Sequence, residues 1–329
     1  MRGEAPLNLT DVADRGDDIL AEIERAVVGK RHALSLILMS LLAGGHVLLE
    51  DYPGLAKTLT ARSFARVLGL SFKRIQFTPD LLPADVVGTY ILRREKEEFE
   101  LRPGPIFAQI ILADEINRAT PRTQSALLEA MQEGQVTLEG ETHPLPQPFM
   151  VLATQNPIEY EGTFALPEAQ LDRFLIRARF GYPARSDEVE ILSRRITRRA
   201  PEETLKPVTC AEELLEMRAA VEDVHVDPDL LEYMARLTEA TRDHASVEVG
   251  ASPRGTLALL LLSRARAAME GRDYVIPDDI KQVAVPALVH RLIIRPELWQ
   301  QQTKPEQVIQ GTLDRVPVPK AERWGATRS

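Results

Sequence analysis

Two adjacent carboxylates, Asp114 and Glu115, directly follow the apolar run Ile-Ile-Leu-Ala at residues 110–113. A lysine and a hydroxyl residue, Lys57 and Thr58, lie upstream in a segment with the composition of a phosphate-binding loop. Such loops place the lysine on the β- and γ-phosphates of a nucleotide and the hydroxyl on Mg²⁺, while carboxylates serve the metal and a water. Most Asp-Glu pairs are solvated surface, so the prediction of a nucleoside-triphosphate site depends on both features together.

The elements around Lys57 have the order strand, loop, helix that a phosphate-binding loop requires. Residues 46–50 predict a short strand, and residues 59–68 predict a helix that ends at Gly69. Backbone N–H groups then converge on the phosphates at the helix N-terminus. We expect the nucleotide to contact the loop residues Asp51, Tyr52, Pro53, Gly54, Leu55, Ala56, Lys57, Thr58 and Leu59.

The loop departs from the general pattern G-x-x-x-x-G-K-[ST] at its two glycine positions, which are Asp51 and Ala56 here. Aspartate adopts unusual backbone angles more readily than most residues. Its negative charge is expected to point away from the phosphates. From the loop alone, an ordinary strand-to-helix turn is the alternative interpretation.

The carboxylates have different expected roles. A continuous apolar strand indicates burial on both faces, as in a parallel sheet, and ligands bind such sheets at the carboxyl ends of their strands. Asp114 is therefore expected to hold Mg²⁺, directly or through water, with the Thr58 hydroxyl as a second ligand. Glu115 is expected to act as the general base that polarises the attacking water.

A second apolar segment, residues 149–153, precedes Asn156. At the end of a strand, Asn156 is placed to hydrogen-bond the γ-phosphate or the attacking water. The alternative is that Asn156 is a turn residue before Pro157, which is a common arrangement.

Two arginines are candidates for charge stabilisation. Arg173 could be an arginine finger that reaches into a neighbouring subunit's site; the alternative is an ion pair with Asp172 or Glu168. Arg254 opens a helix rich in Leu and Ala, where the helix dipole does not favour a cation. An anionic ligand would explain that position, and so would a solvated surface arginine.

These residues together resemble the MoxR family of AAA+ ATPases. The resemblance extends from about residue 22 to about residue 294, and the long run after Asp114 is its most specific part. It is carried by Pro53-Gly54-x-x-Lys57-Thr58, residues 114–133, Ala153-Thr154-Gln155-Asn156-Pro157, residues 166–174 and Ser252-Pro253-Arg254.

The resemblance implies a role for each matching residue. Lys57 and Thr58 match Walker A, and Asp114 and Glu115 match Walker B. The remaining matches are Asn156 to sensor 1, Arg173 to the arginine finger, Arg254 to sensor 2, and Val28-Gly29-Lys30 to the segment that lies against adenine. Whether Arg254 acts on its own subunit's nucleotide or on a neighbour's is left open.

The implied fold class is α/β: an AAA+ P-loop NTPase core whose parallel sheet is sandwiched by helices, followed by a C-terminal all-α lid domain. Residues 1–182 are expected to form the nucleotide-binding domain, with hairpins over 89–101 and 135–145 as candidate contacts for a substrate or partner. Residues 183–329 are expected to form the lid and a C-terminal tail. We expect Thr10 to cap the first helix.

Composition narrows the class of protein. The net charge of −9 and the pI of about 5.4 argue against a large nucleic-acid footprint. The single cysteine, Cys210, excludes an internal disulfide, and the six histidines lack metal-site spacing. The most apolar stretch, residues 33–49, is broken by Gly44-Gly45 and is too short for a membrane span. A cytoplasmic protein without membrane insertion is expected.

The resemblance implies an ATP hydrolase that uses Mg²⁺ and drives chaperone-like remodelling or maturation of a partner protein, with metal insertion among the family's roles. It further implies a homo-oligomeric ring, a hexamer, and a partner with a von Willebrand factor A domain; the client protein is not identified. Two alternatives stay open. One is a nucleotide-gated binding scaffold with little turnover, and the other is a nucleic-acid motor.

Overall fold

The computed structural model describes residues 7–93, 98–156, 163–297 and 303–319. Its α-helices, numbered along the chain, are α1 (Leu9–Glu24), α2 (Arg31–Leu42), α3 (Lys57–Val67), α4 (Pro83–Val87), α5 (Pro121–Glu133), α6 (Glu168–Leu171), α7 (Arg185–Arg198), α8 (Ala211–Glu222), α9 (Pro228–Arg242), α10 (Pro253–Met269), α11 (Pro277–Leu288) and α12 (Pro305–Arg315). Its strands are β1 (Val47–Glu50), β2 (Phe72–Gln76), β3 (Gly88–Arg93), β4 (Glu98–Pro103), β5 (Ile110–Asp114), β6 (Gln135–Leu138), β7 (Glu141–Pro144), β8 (Met150–Gln155), β9 (Ile176–Ala178), β10 (Val247–Val249) and β11 (Ile293–Ile294).

A five-stranded parallel sheet with the order β2-β5-β8-β1-β9 forms the centre of the N-terminal part of the chain. All five residues of β5 are buried, which explains why its sequence is continuously apolar up to the final aspartate. At the edge, β2 exposes Lys73 and Arg74. The parallel pairing brings the carboxyl ends of β1, β5 and β8 to one side of the sheet.

Helices cover both faces of this sheet. Ile110 and Leu112 of β5 belong to an apolar cluster with α1, α2 and α3. Ile111 and Ala113 face the opposite way and pack in a second cluster with α5. The alternation of side chains along a strand therefore produces two cores from one apolar run. The predicted helix–sheet–helix sandwich is confirmed.

The prediction that Thr10 caps the first helix is wrong, because Asn8 is the capping residue. The Asn8 side chain accepts from the Asp11 N–H at 2.9 Å, and the Asp11 carboxylate accepts from the Asn8 N–H at 3.2 Å. This reciprocal pair satisfies two otherwise unpaired donors, which a threonine two residues later cannot do.

Two antiparallel hairpins form two-stranded sheets of their own, separate from the central sheet. β3 pairs with β4 in the hairpin expected over 89–101, and its residues 94–97 lie outside the described residues. β6 pairs with β7, with Glu139 and Gly140 at positive φ in the turn. The Tyr90 hydroxyl of the first hairpin donates to the Glu141 carboxylate of the second at 2.6 Å. The two candidate contact surfaces are thus joined by a hydrogen bond.

The chain after β9 is helical from α7 to α12, as the lid prediction requires, with one addition. Strands β10 and β11 form a small antiparallel sheet within this part. No helix within the described residues combines the length and apolar character needed to cross a bilayer. One apolar cluster joins α1 to α10 and extends to Val316, so the domain boundary at residue 182 stays a prediction.

His46 is a buried titratable group immediately before β1. Its Nδ1 accepts from the Val151 N–H at 3.0 Å, so its Nε2 carries the proton and donates to the Met131 carbonyl at 3.0 Å. Burial, aided by the nearby positive charge of Arg218, lowers the pKa of His46 to about 4. The folded protein therefore keeps this imidazole neutral under conditions in which the unfolded chain protonates it.

We predict that this histidine makes the protein acid-sensitive. Its folded-state pKa lies below its unfolded value of 6.5, so the stabilisation is complete above pH 6.5 and is lost as the pH falls toward 4. The loss amounts to about 3 kcal/mol of unfolding free energy. Denaturant unfolding of wild type and His46→Asn should give a shallower pH dependence for the variant, because Asn does not titrate. Equal slopes would contradict this assignment.

Candidate nucleotide site

One cavity of about 410 Å³ lies at the carboxyl edge of the central sheet, at the N-terminus of α3. Its walls come from the loop after β1, from the ends of β5 and β8, and from β2. The lining residues are Pro53, Gly54, Leu55, Ala56, Lys57, Thr58, Leu59, Arg74, Asp114, Glu115 and Asn156. The structure thus brings together residues that are up to about one hundred positions apart in the chain.

The loop backbone has the left-handed conformation that its pattern normally assigns to glycine. Ala56 has φ 58° and ψ 17° and directly precedes α3. A side chain in this conformation costs roughly 1–2 kcal/mol. Alanine therefore occupies the position under strain, with the loop still shaped around the helix N-terminus.

The Lys57 ammonium is held within the loop. Its Nζ donates to the Asp51 carbonyl at 2.7 Å. Burial lowers the pKa of Lys57, and the carboxylates of Asp114, Asp51 and Glu115 act in the opposite direction and favour its charged form. A cation is thereby placed at the cavity wall.

The Asp51 carboxylate points away from the cavity, in the direction expected from its charge. It is buried and accepts hydrogen bonds from the backbone N–H groups of Phe180 and Gly181. Tyr52 also does not line the cavity; its ring lies 5.9 Å from that of Tyr182, centroid to centroid. These two predicted loop contacts face the connection between the sheet and α7 instead.

A single buried threonine fixes both carboxylates. The Thr154 hydroxyl donates to Asp114 Oδ1 at 2.7 Å and accepts from the Glu115 N–H at 2.8 Å. Glu115 has φ 56° and ψ 50°, a conformation that costs energy for any residue with a Cβ. Strain of this kind persists where the surroundings over-determine the backbone, often at functional sites. Here Thr154 supplies that constraint.

The edge strand β2 supplies polar partners for the same carboxylates. Arg74 donates to Asp114 Oδ2 through Nη2 at 2.7 Å and Nε at 3.0 Å. Gln76 Nε2 donates to Glu115 Oε2 at 2.9 Å, and Arg118 Nη1 donates to the same oxygen at 3.0 Å. Hydrogen-bond donors from β2 and from Arg118 therefore orient both carboxylates.

Sequence reasoning did not assign roles to Thr154, Arg74, Gln76 or Arg118. Residue Gln76 is the register partner of Asp114 in the β2–β5 pairing. The polar residues of β2, at positions 74 and 76, would have signalled this contact had the neighbour of β5 been known. Strand order carries that information, and local composition does not.

The segment expected to lie against adenine packs on the chain that enters α7. Val28 is buried, and a Cβ at Gly29, where φ is +70°, would collide with the Asp187 carboxylate. Neither residue lines the cavity described above. The segment is thus placed beside the start of α7.

Arg173 and Arg254 lie outside the cavity. Arg173 is half-buried, and among the described residues its side chain has no ion pair; Asp172 pairs instead with Arg291 at 2.6 Å. The alternative pairing of Arg173 with Asp172 is therefore not found. Arg254 is exposed at the start of α10, where the Ser252 side chain caps the helix by accepting from the Arg254 N–H at 3.1 Å.

Comparison with known proteins gives the same organisation. Residues 46–176 match the family described as "ATPase family associated with various cellular activities (AAA)", and residues 239–311 match "AAA lid domain". The chain is 50% identical to the uncharacterized protein YeaC of Bacillus subtilis, over 90% of this chain and 92% of that protein. It is 44% identical to chaperone MoxR1 of Mycobacterium tuberculosis, over 91% of this chain and 81% of that protein.

A solved structure is similar along almost the whole chain. The crystal structure of a proposed ATPase from Cytophaga hutchinsonii superposes with a TM-score of 0.89 at 39% identity. The match covers 95% of this chain and 97% of that one. Both the sheet-containing part and the helical lid are therefore shared.

We predict that the Thr154 hydroxyl is needed for stability as well as for geometry. Thr154→Val keeps the shape but leaves Asp114 Oδ1 and the Glu115 N–H without this partner, at a cost of about 1–3 kcal/mol in unfolding free energy. Thr154→Ser keeps the hydroxyl and should retain most of the stability. Thermal and denaturant unfolding would measure both, and equal stability of the two variants would contradict the role.

Proposed function

The chain belongs to the MoxR family of AAA+ ATPases, and from that premise we propose that it binds and hydrolyses ATP with Mg²⁺ in the cavity at the sheet edge. The observation that carries the proposal is the convergence of Lys57, Thr58, Asp114, Glu115 and Asn156 on one cavity. The loop N–H groups at the start of α3 would hold the phosphates, and Lys57 would contact the β- and γ-phosphates.

The oxygen donors present fit Mg²⁺. This ion prefers hard oxygen ligands and is commonly held by one or two side chains together with substrate phosphates and waters. Thr58 and Asp114 supply a hydroxyl and a carboxylate that line the same cavity. The bound ion would neutralise phosphate charge, while Thr154 keeps Asp114 in place from the buried side.

Glu115 is proposed as the general base. Its carboxylate would accept a proton from the water as the water oxygen bonds to the γ-phosphorus and the bond to the ADP oxygen breaks. Gln76 and Arg118 orient this carboxylate, and the hydrogen bond to Thr154 fixes its backbone. Asn156 would position the water or the γ-phosphate.

A ring would complete the site. Arg173 has no ion pair among the described residues and lies outside its own cavity, which supports a role at a neighbouring subunit's γ-phosphate. We propose a hexamer, with Arg254 at the start of α10 as the lid's contribution to a phosphate site. The geometry of the assembled ring would decide whether Arg254 contacts the nucleotide of its own subunit or that of the next.

The output of hydrolysis is proposed to be remodelling or maturation of a partner protein in the cytoplasm, with metal insertion as one form of it. The name of the relative MoxR1 as a chaperone supports this class of activity. The hydrogen-bonded hairpins β3–β4 and β6–β7 are the surfaces proposed to meet a client or a von Willebrand factor A domain partner. The acidic charge of −9 disfavours nucleic acid.

A second candidate is a nucleotide-gated scaffold with little turnover. It is favoured by one observation: Arg74 and Arg118 form ion pairs with the two carboxylates that would hold the metal and activate the water. Steady-state phosphate release by the wild-type protein separates the candidates, because the scaffold would bind ATP without sustained release.

We predict that Glu115→Gln binds ATP but does not turn it over. The amide keeps the size of the side chain and cannot take the proton from water, so phosphate release should fall at least about a hundredfold. Nucleotide binding, measured by titration calorimetry, should persist. Wild-type turnover by this variant would reject Glu115 as the base.

We also predict that Arg173 acts across a subunit interface. Arg173→Ala and Glu115→Gln subunits should each be inactive alone. When mixed, an intact Arg173 on one subunit can face an intact Glu115 on the next, and some activity should return. Native mass spectrometry would verify mixed assembly; mixed rings without any recovered activity would count against a role in trans.

A further inference from the structure

We propose that Asp51 is a positioning residue that couples the phosphate loop to the lid, a role that rests on the ATPase function proposed above. Asp51 occupies the first position of the loop, where the general pattern has glycine. Its main chain contacts the phosphate-binding lysine, and its side chain contacts the connection between the sheet and α7. Asp51 thus contacts both the phosphate loop and the connection to α7.

The side-chain contact is made with the backbone of the connection. The buried Asp51 carboxylate accepts from the Phe180 N–H and from the Gly181 N–H, the latter at 3.2 Å. Hydrogen bonds to an ionised acceptor are among the strongest that proteins make. The two peptide N–H groups at the end of β9 are therefore fixed to the loop.

Lys30 contacts the carbonyl groups of the same two residues. Its Nζ donates to the Phe180 carbonyl and to the Gly181 carbonyl, both at 3.0 Å. The N–H and carbonyl groups of two successive residues are thus occupied by one carboxylate and one ammonium. We call this arrangement the hinge clamp: Asp51, Lys30, Phe180 and Gly181.

Neighbouring contacts locate the hinge clamp at the entry to the lid. Asp187 caps the start of α7 by accepting from the Ala184 N–H at 3.1 Å and packs against Gly29. Tyr182 lies beside Tyr52 of the loop. The segment that leads into α7 therefore packs against the loop at Tyr52 and against Gly29, which precedes α2.

The loop-facing side of Asp51 completes the coupling. Lys57 donates to the Asp51 carbonyl at 2.7 Å, so the ammonium proposed to bind phosphate shares a residue with the hinge clamp. If Lys57 leaves the Asp51 carbonyl to bind phosphate, the Asp51 peptide loses a hydrogen bond. The Asp51 side chain transmits that change, because its carboxylate is hydrogen-bonded to Phe180 and Gly181. Glycine at this position would keep the loop and remove the connection.

The expected effect of placing glycine at position 51 is opposite to what the sequence pattern alone would suggest. Asp51→Gly restores the first glycine of the general loop pattern, yet we expect kcat for ATP hydrolysis to fall about tenfold or more, because a misplacement of about 1 Å at a site can cost about a hundredfold in rate. Asp51→Asn keeps an acceptor oxygen and should recover part of the loss. Lys30→Met, which breaks the other side of the hinge clamp, should lower kcat in the same direction.

Hydrogen exchange supplies a readout that a general loss of stability would not produce. In wild type and in Glu115→Gln, ATP should slow exchange in the peptide covering residues 179–187. In Asp51→Gly the Phe180 and Gly181 amides should exchange faster without nucleotide, and ATP should no longer protect them. Glu232→Gln, on the exposed face of α9, serves as the control and should match wild type in both measurements.

The outcomes separate the two proposals. If wild type neither binds nor hydrolyses ATP, the proposed function fails, and the amide exchange of Asp51→Gly still judges the hinge clamp. If wild type is active and Asp51→Gly has wild-type kcat per folded protein with wild-type ATP-dependent protection, the coupling role of Asp51 is overturned. A lowered melting temperature with unchanged kcat and protection would likewise assign Asp51 a structural role alone.

Discussion

The parallel pairing of β5 between β2 and β8 is the constraint on which the whole site depends. It places Asp114 beside Gln76 on one side and beside the end of β8, with Thr154, on the other. Because β1 pairs with β8 in the same sense, the loop that follows β1 leaves the sheet at that edge as well. Without this order, residues from four separate segments would not share a cavity.

Three carboxylates, of which Asp51 and Asp114 are buried, serve different connections in this fold, and their hydrogen-bond donors decide which. Asp114 faces the cavity and is held by a hydroxyl and a guanidinium. Asp51 faces the connection between β9 and α7 and accepts from backbone N–H groups there. Asp172 takes the buried Arg291 and the Ser252 hydroxyl, which ties the Arg173 segment to the cap of α10. Arg291 is buried, so removing its partner Asp172 would leave an uncompensated charge in the interior and would destabilise that connection.

Much of this organisation could be predicted from local pattern. The apolar runs before Asp114 and Asn156 are long enough to indicate buried parallel strands, and the loop before α3 has its expected order of elements. The sheet, its flanking helices and the helical lid follow from such signals. Residues with specific backbone needs, such as the left-handed position at Ala56, could be located from the pattern even though glycine is absent there.

What could not be predicted depends on register or on distant partners. Arg291 lies 119 residues from Asp172, so nothing near Arg173 signals that its neighbour is already paired. Arg74 and Gln76 become site residues only because β2 is the neighbour of β5. The Asn8 cap shows the same limit at short range, since both Asn8 and Thr10 are of residue types that cap helices and only the structure shows where the helix begins.

The most direct test of the central claim is a structure of Glu115→Gln with ATP and Mg²⁺. The account predicts one triphosphate in the sheet-edge cavity, with Lys57 Nζ on the β- and γ-phosphates and a single Mg²⁺ beside the Thr58 hydroxyl and the Asp114 carboxylate. A nucleotide bound elsewhere, or a metal remote from both of these side chains, would contradict it.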